Sequence, residues 1–182
     1  GRQRVVWGRN QGRAQQWGHE LKSELNRPVE LSESAEAAVR GADLIVTVTA
    51  SREPIIQDGW MASGATLIAV GSDGPEKQEV APRVLQRADK VIADRTAQCV
   101  QLGEIHHAIT AGVFTSHHIH GELGQLVTGA VTCRDGHARI VCDLHGVGAQ
   151  DAAIADAPSR APCADASPPA CPFRLMPWTS LA

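Results

Sequence analysis

Tyrosine is absent, and aromatic residues make up only 3% of the 182 residues. The interior must therefore be built from Val, Ile, Leu and Ala, the palette of helices packed on a buried parallel sheet. No apolar run approaches the roughly 20 residues that cross a bilayer. The net charge of −3 comes without a basic stripe, which argues against nucleic acid as a partner. The five cysteines, Cys99, Cys133, Cys142, Cys163 and Cys171, form no C-x-x-C pair and are odd in number. That usage suits unpaired thiols in a reducing compartment, and a cytoplasmic location is expected. The chain starts without Met and without the apolar stretch of a signal peptide, so the true N-terminus is expected elsewhere. No segment reads as G-x-G-x-x-G, the phosphate-binding loop of dinucleotide folds.

What is present is 43% hydrophobic and 20% charged, the balance of a soluble globule. Val5-Val6-Trp7 is a short extended piece, and residues 14–25 follow with helical spacing. Trp17, Leu21 and Leu25 recur four apart and are expected to share a buried face. Residues 28–31 read as extended, and Ser34 can cap a helix over 35–40. Residues 42–49 (ADLIVTVT), 65–70 (ATLIAV) and 90–93 (KVIA) are nearly continuous apolar runs, as strands covered on both faces should be. Helices are expected near 80–88 and 97–112, and strand and helix thus alternate as in β-α-β units. Beyond Gly112 come a short helix at 122–126, a strand at 138–144, a turn at 145–148 and a helix from 151 that Pro158 stops. Residues 158–182 hold six of the ten prolines, show no period and are expected to be disordered.

In an open parallel α/β sheet, ligands bind at the C-terminal strand ends. Three such ends carry candidate residues: Gly8-Arg9, Thr47-Val48-Thr49 and Gly71-Ser72-Asp73. Thr47 and Thr49 offer hydroxyls to a cofactor, or simply suit a strand end. Asp73 is either a base at a crevice mouth, its pKa raised by burial, or the cap of an Asp-Gly-Pro turn. Arg9 stands where an acid would bind a ribose 2′-hydroxyl, which favours NADP over NAD. His118-x-His120 lacks a third ligand, so no metal site is expected.

Several segments in fixed order resemble the ornithine cyclodeaminase/mu-crystallin family. They are Gly41–Thr49, Arg52–Ile56, Val70–Glu79, Val91–Asp94, Gly103-Glu104, Glu122–Gly124 and Gly146–Asp151. The Ala93-Asp94-Arg95 and Cys142-Asp143-Leu144 segments are most similar to members associated with ectoine utilisation.

The resemblance implies an α/β fold: a Rossmann-type doubly wound parallel sheet over residues 1–112, lacking its first strand and phosphate loop. Residues 113–157 would return to a substrate and dimerisation domain. It implies an enzyme binding NADP or NAD that deaminates and cyclises a small basic amino acid of the ornithine or diaminobutyrate type, as a homodimer. A ketimine reductase, an amino-acid dehydrogenase, a non-catalytic binding protein or an inactive remnant are the alternatives. Asp73 takes the family's catalytic position. Arg9, Thr47, Thr49, Val70, Gly71, Ser72 and Lys77 fall at cofactor contacts, and His145 and Gly146 on the loop facing nicotinamide and substrate. The family's catalytic Lys would lie before residue 1, so the chain alone is expected to be inactive. Leu144 departs from the serine common in cyclodeaminases, and the family's helix after residue 157 is replaced by the proline-rich stretch.

Overall fold

The computed structural model describes residues 3–133 and 136–146. The chain begins with β1 (Val5–Val6), α1 (Gln11–Leu25), β2 (Glu30–Leu31) and α2 (Ala35–Val39). It continues through β3 (Leu44–Thr47), β4 (Thr66–Ala69), α3 (Pro82–Gln86) and β5 (Lys90–Ala93). Then come α4 (Thr96–Cys99), α5 (Gly103–Thr110), a 3-10 turn at Ser116–His118, β6 (Ile119–Glu122), α6 (Leu123–Val127) and β7 (Ile140–Asp143).

β1 and β2 pair in parallel as a two-stranded sheet, and the other five strands form a parallel sheet in the order β3-β4-β7-β5-β6. The register brings Thr47, Ala69, Asp143 and Ala93 into one row across four neighbouring strands. The C-terminal ends of the sheet are therefore flush, and the loops that follow them meet on one edge.

Period-two alternation decides what each strand buries. Ile45, Leu67, Ala69, Val91, Ala93 and Val141 belong to the main core, with Val84 and Leu85 of α3 and Ile105 and Ala108 of α5. On the opposite face Ile92 and Ile140 pack with Cys133 and Ala138. That second cover does not extend to β3, where Leu44, Val46 and Val48 are 59%, 54% and 65% exposed. β3 is also an edge strand, so its outer ladder groups are unpaired by any described strand.

Side chains cap the first two helices, and the Ser34 cap is the one the sequence predicts. Asn10 accepts from the Arg13 N–H to start α1, and Ser34 accepts from the Ala37 N–H to start α2. Two expectations are corrected. Trp17 and Leu25 are 50% and 46% exposed, because α1 packs on a two-stranded sheet too narrow to cover its apolar face; only its Ala14 is buried. The helix expected over 97–112 is two helices, since Gly103 adopts φ +74° and turns the chain between α4 and α5. Beyond Gly112, β6 and β7 join the same sheet, β7 at its centre. β6, at the far edge, was not read at all from its polar sequence Ile-His-Gly-Glu. The expected helix from 151 and the stretch 158–182 lie outside the described residues.

Opposite faces of one sheet should respond oppositely to substitution. Leu67→Ala, at 0% exposure, is expected to lose about 2–5 kcal/mol, whereas Val46→Thr stays within about 0.5 kcal/mol. Denaturant unfolding of both variants checks the assignment of faces.

Candidate cofactor-binding and active site

The row of strand ends is held by carboxylates. Glu79 is fully buried and takes three donors, from the end of β3 and the loops after β3 and β4: the Thr47 hydroxyl at 2.7 Å, the Thr49 N–H at 2.5 Å and the Gly71 N–H at 2.9 Å. The loops after β3 and β4 are thereby clamped together. Their approach is close enough that a Cβ on Gly71 would lie 2.1 Å from the Thr49 carbonyl oxygen, so only glycine fits.

A second buried carboxylate supports the first. Glu104, in the first turn of α5, accepts the Glu79 N–H at 2.7 Å, the Val80 N–H at 3.0 Å and the Ser72 hydroxyl. Burial pushes its carboxyl up to about 7; the Ser72 and Glu79 donors oppose that rise, and the charge of Asp143 adds to it.

The third group lies under β5 and β7. Asp94 accepts the N–H groups of Arg95, His145 and Gly146 at 2.7, 2.7 and 2.9 Å, which fixes the chain leaving β7. Asp143 accepts the Ile105 N–H at 2.8 Å and faces His145 Nε2 at 3.1 Å, off hydrogen-bond alignment. The His145 ring is fully buried and lies where a Cβ on Gly103 would stand, 1.9 Å from Nε2. Burial lowers the His145 pKa, but the contact and charge of Asp143, with Asp94 and Glu104, outweigh it and the net shift is upward.

Asp94, Cys99 and His145 bring ligand-type atoms within 4.8 Å of one another. They form a closed hydrogen-bonded set rather than an open metal cage. Asp94 also faces the Cys99 thiol at 3.3 Å, and burial followed by the charge of Asp143 holds that thiol protonated.

The sequence-predicted residues divide into two groups. Thr47 and Ser72 are buried, and their hydroxyls are committed to Glu79 and Glu104, so they hold the crevice rather than offer themselves to a ligand. His145, expected to face substrate, has its ring in the interior. Val70 is 40% exposed beside Val48, and Gly146 is exposed at the same edge. Asp73 is half-exposed and pairs with Lys77 at 2.5 Å. Lys77 is placed in turn by its carbonyl, which meets His107 Nε2 at 2.9 Å. Arg9 reaches from the turn after β1 to the Ser51 hydroxyl at 2.5 Å.

Glu79, Glu104, Asp94 and Asp143 were not singled out as structural acids by spacing. The signal was there for two of them: Asp94 and Asp143 each close an apolar strand, Lys90–Ala93 and Ile140–Asp143.

The sequence matches the ornithine cyclodeaminase/mu-crystallin family over residues 3–157. It is 38% identical over 155 residues to an uncharacterized cyclodeaminase of Sinorhizobium fredii, covering 85% of this chain and 47% of that protein. The fold is similar to Thermococcus litoralis Delta(1)-pyrroline-2-carboxylate reductase, solved in complex with NADH and L-proline. That match has a TM-score of 0.80 at 25% identity over 84% of this chain and 47% of that one. The iminosuccinate reductase of Paracoccus denitrificans, in complex with NAD+, matches with a TM-score of 0.78 at 31% identity over 85% and 47%. The chain spans about half the length of the relatives it matches.

Two outcomes follow from the buried acids. Glu79→Ala leaves a hydroxyl and two N–H groups unpaired and is expected to cost roughly 3 kcal/mol or more in denaturant unfolding, while Thr47→Val costs about 1–2 kcal/mol. Glu104 binds its proton more tightly folded than unfolded, so its contribution is complete below its ordinary value of 4.5 and is lost as pH rises through about 7. His145, also raised, has the same sign, with loss above its ordinary 6.5. The thermal midpoint is expected to be about 5 °C higher at pH 5.5 than at pH 8, and Glu104→Gln should flatten that slope.

Proposed function

Because the chain belongs to the ornithine cyclodeaminase/mu-crystallin family, we propose that it forms the dinucleotide-binding part of a nicotinamide-dependent enzyme. That enzyme interconverts a small amino acid and its imine. The observation that carries this reading is the flush row of strand ends clamped by Glu79, with Val48 and Val70 exposed beside it. A rigid apolar edge with fixed backbone groups suits a flat ring and a ribose. The donor set fits a dinucleotide as well, since the turn after β1 presents the Arg9 cation and no acid.

A bound nicotinamide supplies hydride transfer. The chain's own residues supply position and proton handling. Thr49, Val70 and Gly71 present the strand-end backbone. Arg9 meets the ribose 2′ position, which favours NADP in this chain, whereas the two solved relatives hold NADH and NAD+. Asp73 holds or moves a proton at the crevice mouth, with Lys77 beside it as counter-charge. Gly146, on the loop fixed by Asp94, borders the reacting ring.

Likeness to a cyclodeaminase favours deamination and cyclisation of a small basic amino acid, with the hydride returned to the product. Likeness to the two imine reductases favours net reduction. In a full-length protein carrying this segment, turnover on catalytic cofactor identifies the first and stoichiometric consumption of NADPH the second.

The direct test on this chain is a titration with NADPH and NADH by calorimetry. Saturable binding is expected, with Arg9→Ala weakening NADPH about tenfold and NADH by less than about twofold. Asp73→Asn should leave both affinities within about twofold and abolish turnover in the full-length protein. A folded sample that binds neither cofactor would refute the proposal.

A further inference from the structure

Ser51 lies on the loop after β3 and is 4% exposed. Every polar atom it has is engaged. Its backbone N–H meets Thr49 Oγ1 at 3.3 Å, and its carbonyl accepts the Gln78 N–H at 2.8 Å. Its hydroxyl donates to the Glu53 carbonyl at 2.5 Å and accepts the Glu53 N–H at 3.3 Å. With its one proton committed, the hydroxyl oxygen can serve a further partner only as an acceptor. That partner is Arg9 Nη2, at 2.5 Å and 42 residues away in the chain.

The consequence is a cation with one fixed end. Arg9 is exposed on the turn after β1, and a guanidinium carries five N–H donors, of which Ser51 takes one. A free arginine side chain loses much rotamer freedom when it captures an anion; one already anchored loses less. Ser51 is itself tied to the clamped edge, because Thr49, its N–H partner, donates its own N–H to Glu79. The anchor of Arg9 is therefore continuous with the crevice.

We propose that Ser51 is a positioning residue that holds the Arg9 guanidinium as a receptor for the 2′-phosphate, and so sets the preference for NADPH over NADH. This rests on the nicotinamide reading above. Two alternatives are separable from it: Ser51 could only shape its own loop, or Arg9 could play no part in cofactor choice.

The test is the ratio of NADPH to NADH dissociation constants in the wild-type chain, Ser51→Ala, Arg9→Ala and the double variant. Ser51→Ala is expected to weaken NADPH about five- to tenfold and leave NADH within about twofold, and Ser51→Thr to restore the ratio. The double variant should be no weaker than Arg9→Ala alone, because the two act through one contact. Equal weakening of both cofactors in Ser51→Ala, or none, overturns the proposal and leaves the nicotinamide reading standing. An unchanged ratio in Arg9→Ala, or no binding of either cofactor by the wild type, overturns the 2′-phosphate reading and this inference with it. If Ser51→Ala fails to fold, Ser51→Cys keeps the volume with a poor acceptor and carries the same comparison.

Discussion

The edge of this sheet depends on one buried carboxylate. Glu79 joins the ends of β3 and β4 through three hydrogen bonds, and its own N–H is held by Glu104. A charge in the interior is tolerated only when its lone pairs are filled, and here they are filled by the groups that shape the crevice. The arrangement resists change from either side: a larger residue at Gly71 collides with Thr49, and a smaller one at Glu79 orphans its donors. Asp94 applies the same device on the other side of the row, where it fixes the loop leaving β7.

The strands were legible in the sequence because their runs are apolar on both faces, even at β3, where the described residues cover only one. Lys90–Ala93 was read to the residue, and β3, β4 and β7 lie inside longer runs recognised in the same way. Helices were less so. The four-residue spacing of Trp17, Leu21 and Leu25 describes an apolar face but not whether anything covers it, and in this structure Trp17 stays half-exposed. β6 escaped because an edge strand needs no continuous apolar run, and Ile-His-Gly-Glu carries only a weak alternation. The site was half legible. The strand-end positions follow from the fold class, but the partners of Thr47 and Ser72 are acids 32 residues further along the chain. Nothing in the local pattern distinguishes Glu79 or Glu104 from a solvated glutamate.

Leu44, Val46 and Val48 form an uncovered stripe on the edge strand β3, and Trp17 is exposed on α1. A doubly wound sheet buries both faces, so apolar residues here are placed for cover that the described residues do not supply. That agrees with a chain spanning about half of its relatives' length. Among the described residues no helix is long and apolar enough to cross a membrane.

The claim most open to direct contradiction is that the clamped strand ends form the dinucleotide crevice. Amide chemical-shift mapping of the labelled chain during NADH addition addresses it. The account predicts saturable shifts concentrated at residues 48–51 and 70–73 and at Arg9. Shifts confined to the groove between α1 and β2, lined by Gln15, His19, Lys22 and Leu31, would place the ligand elsewhere and contradict it.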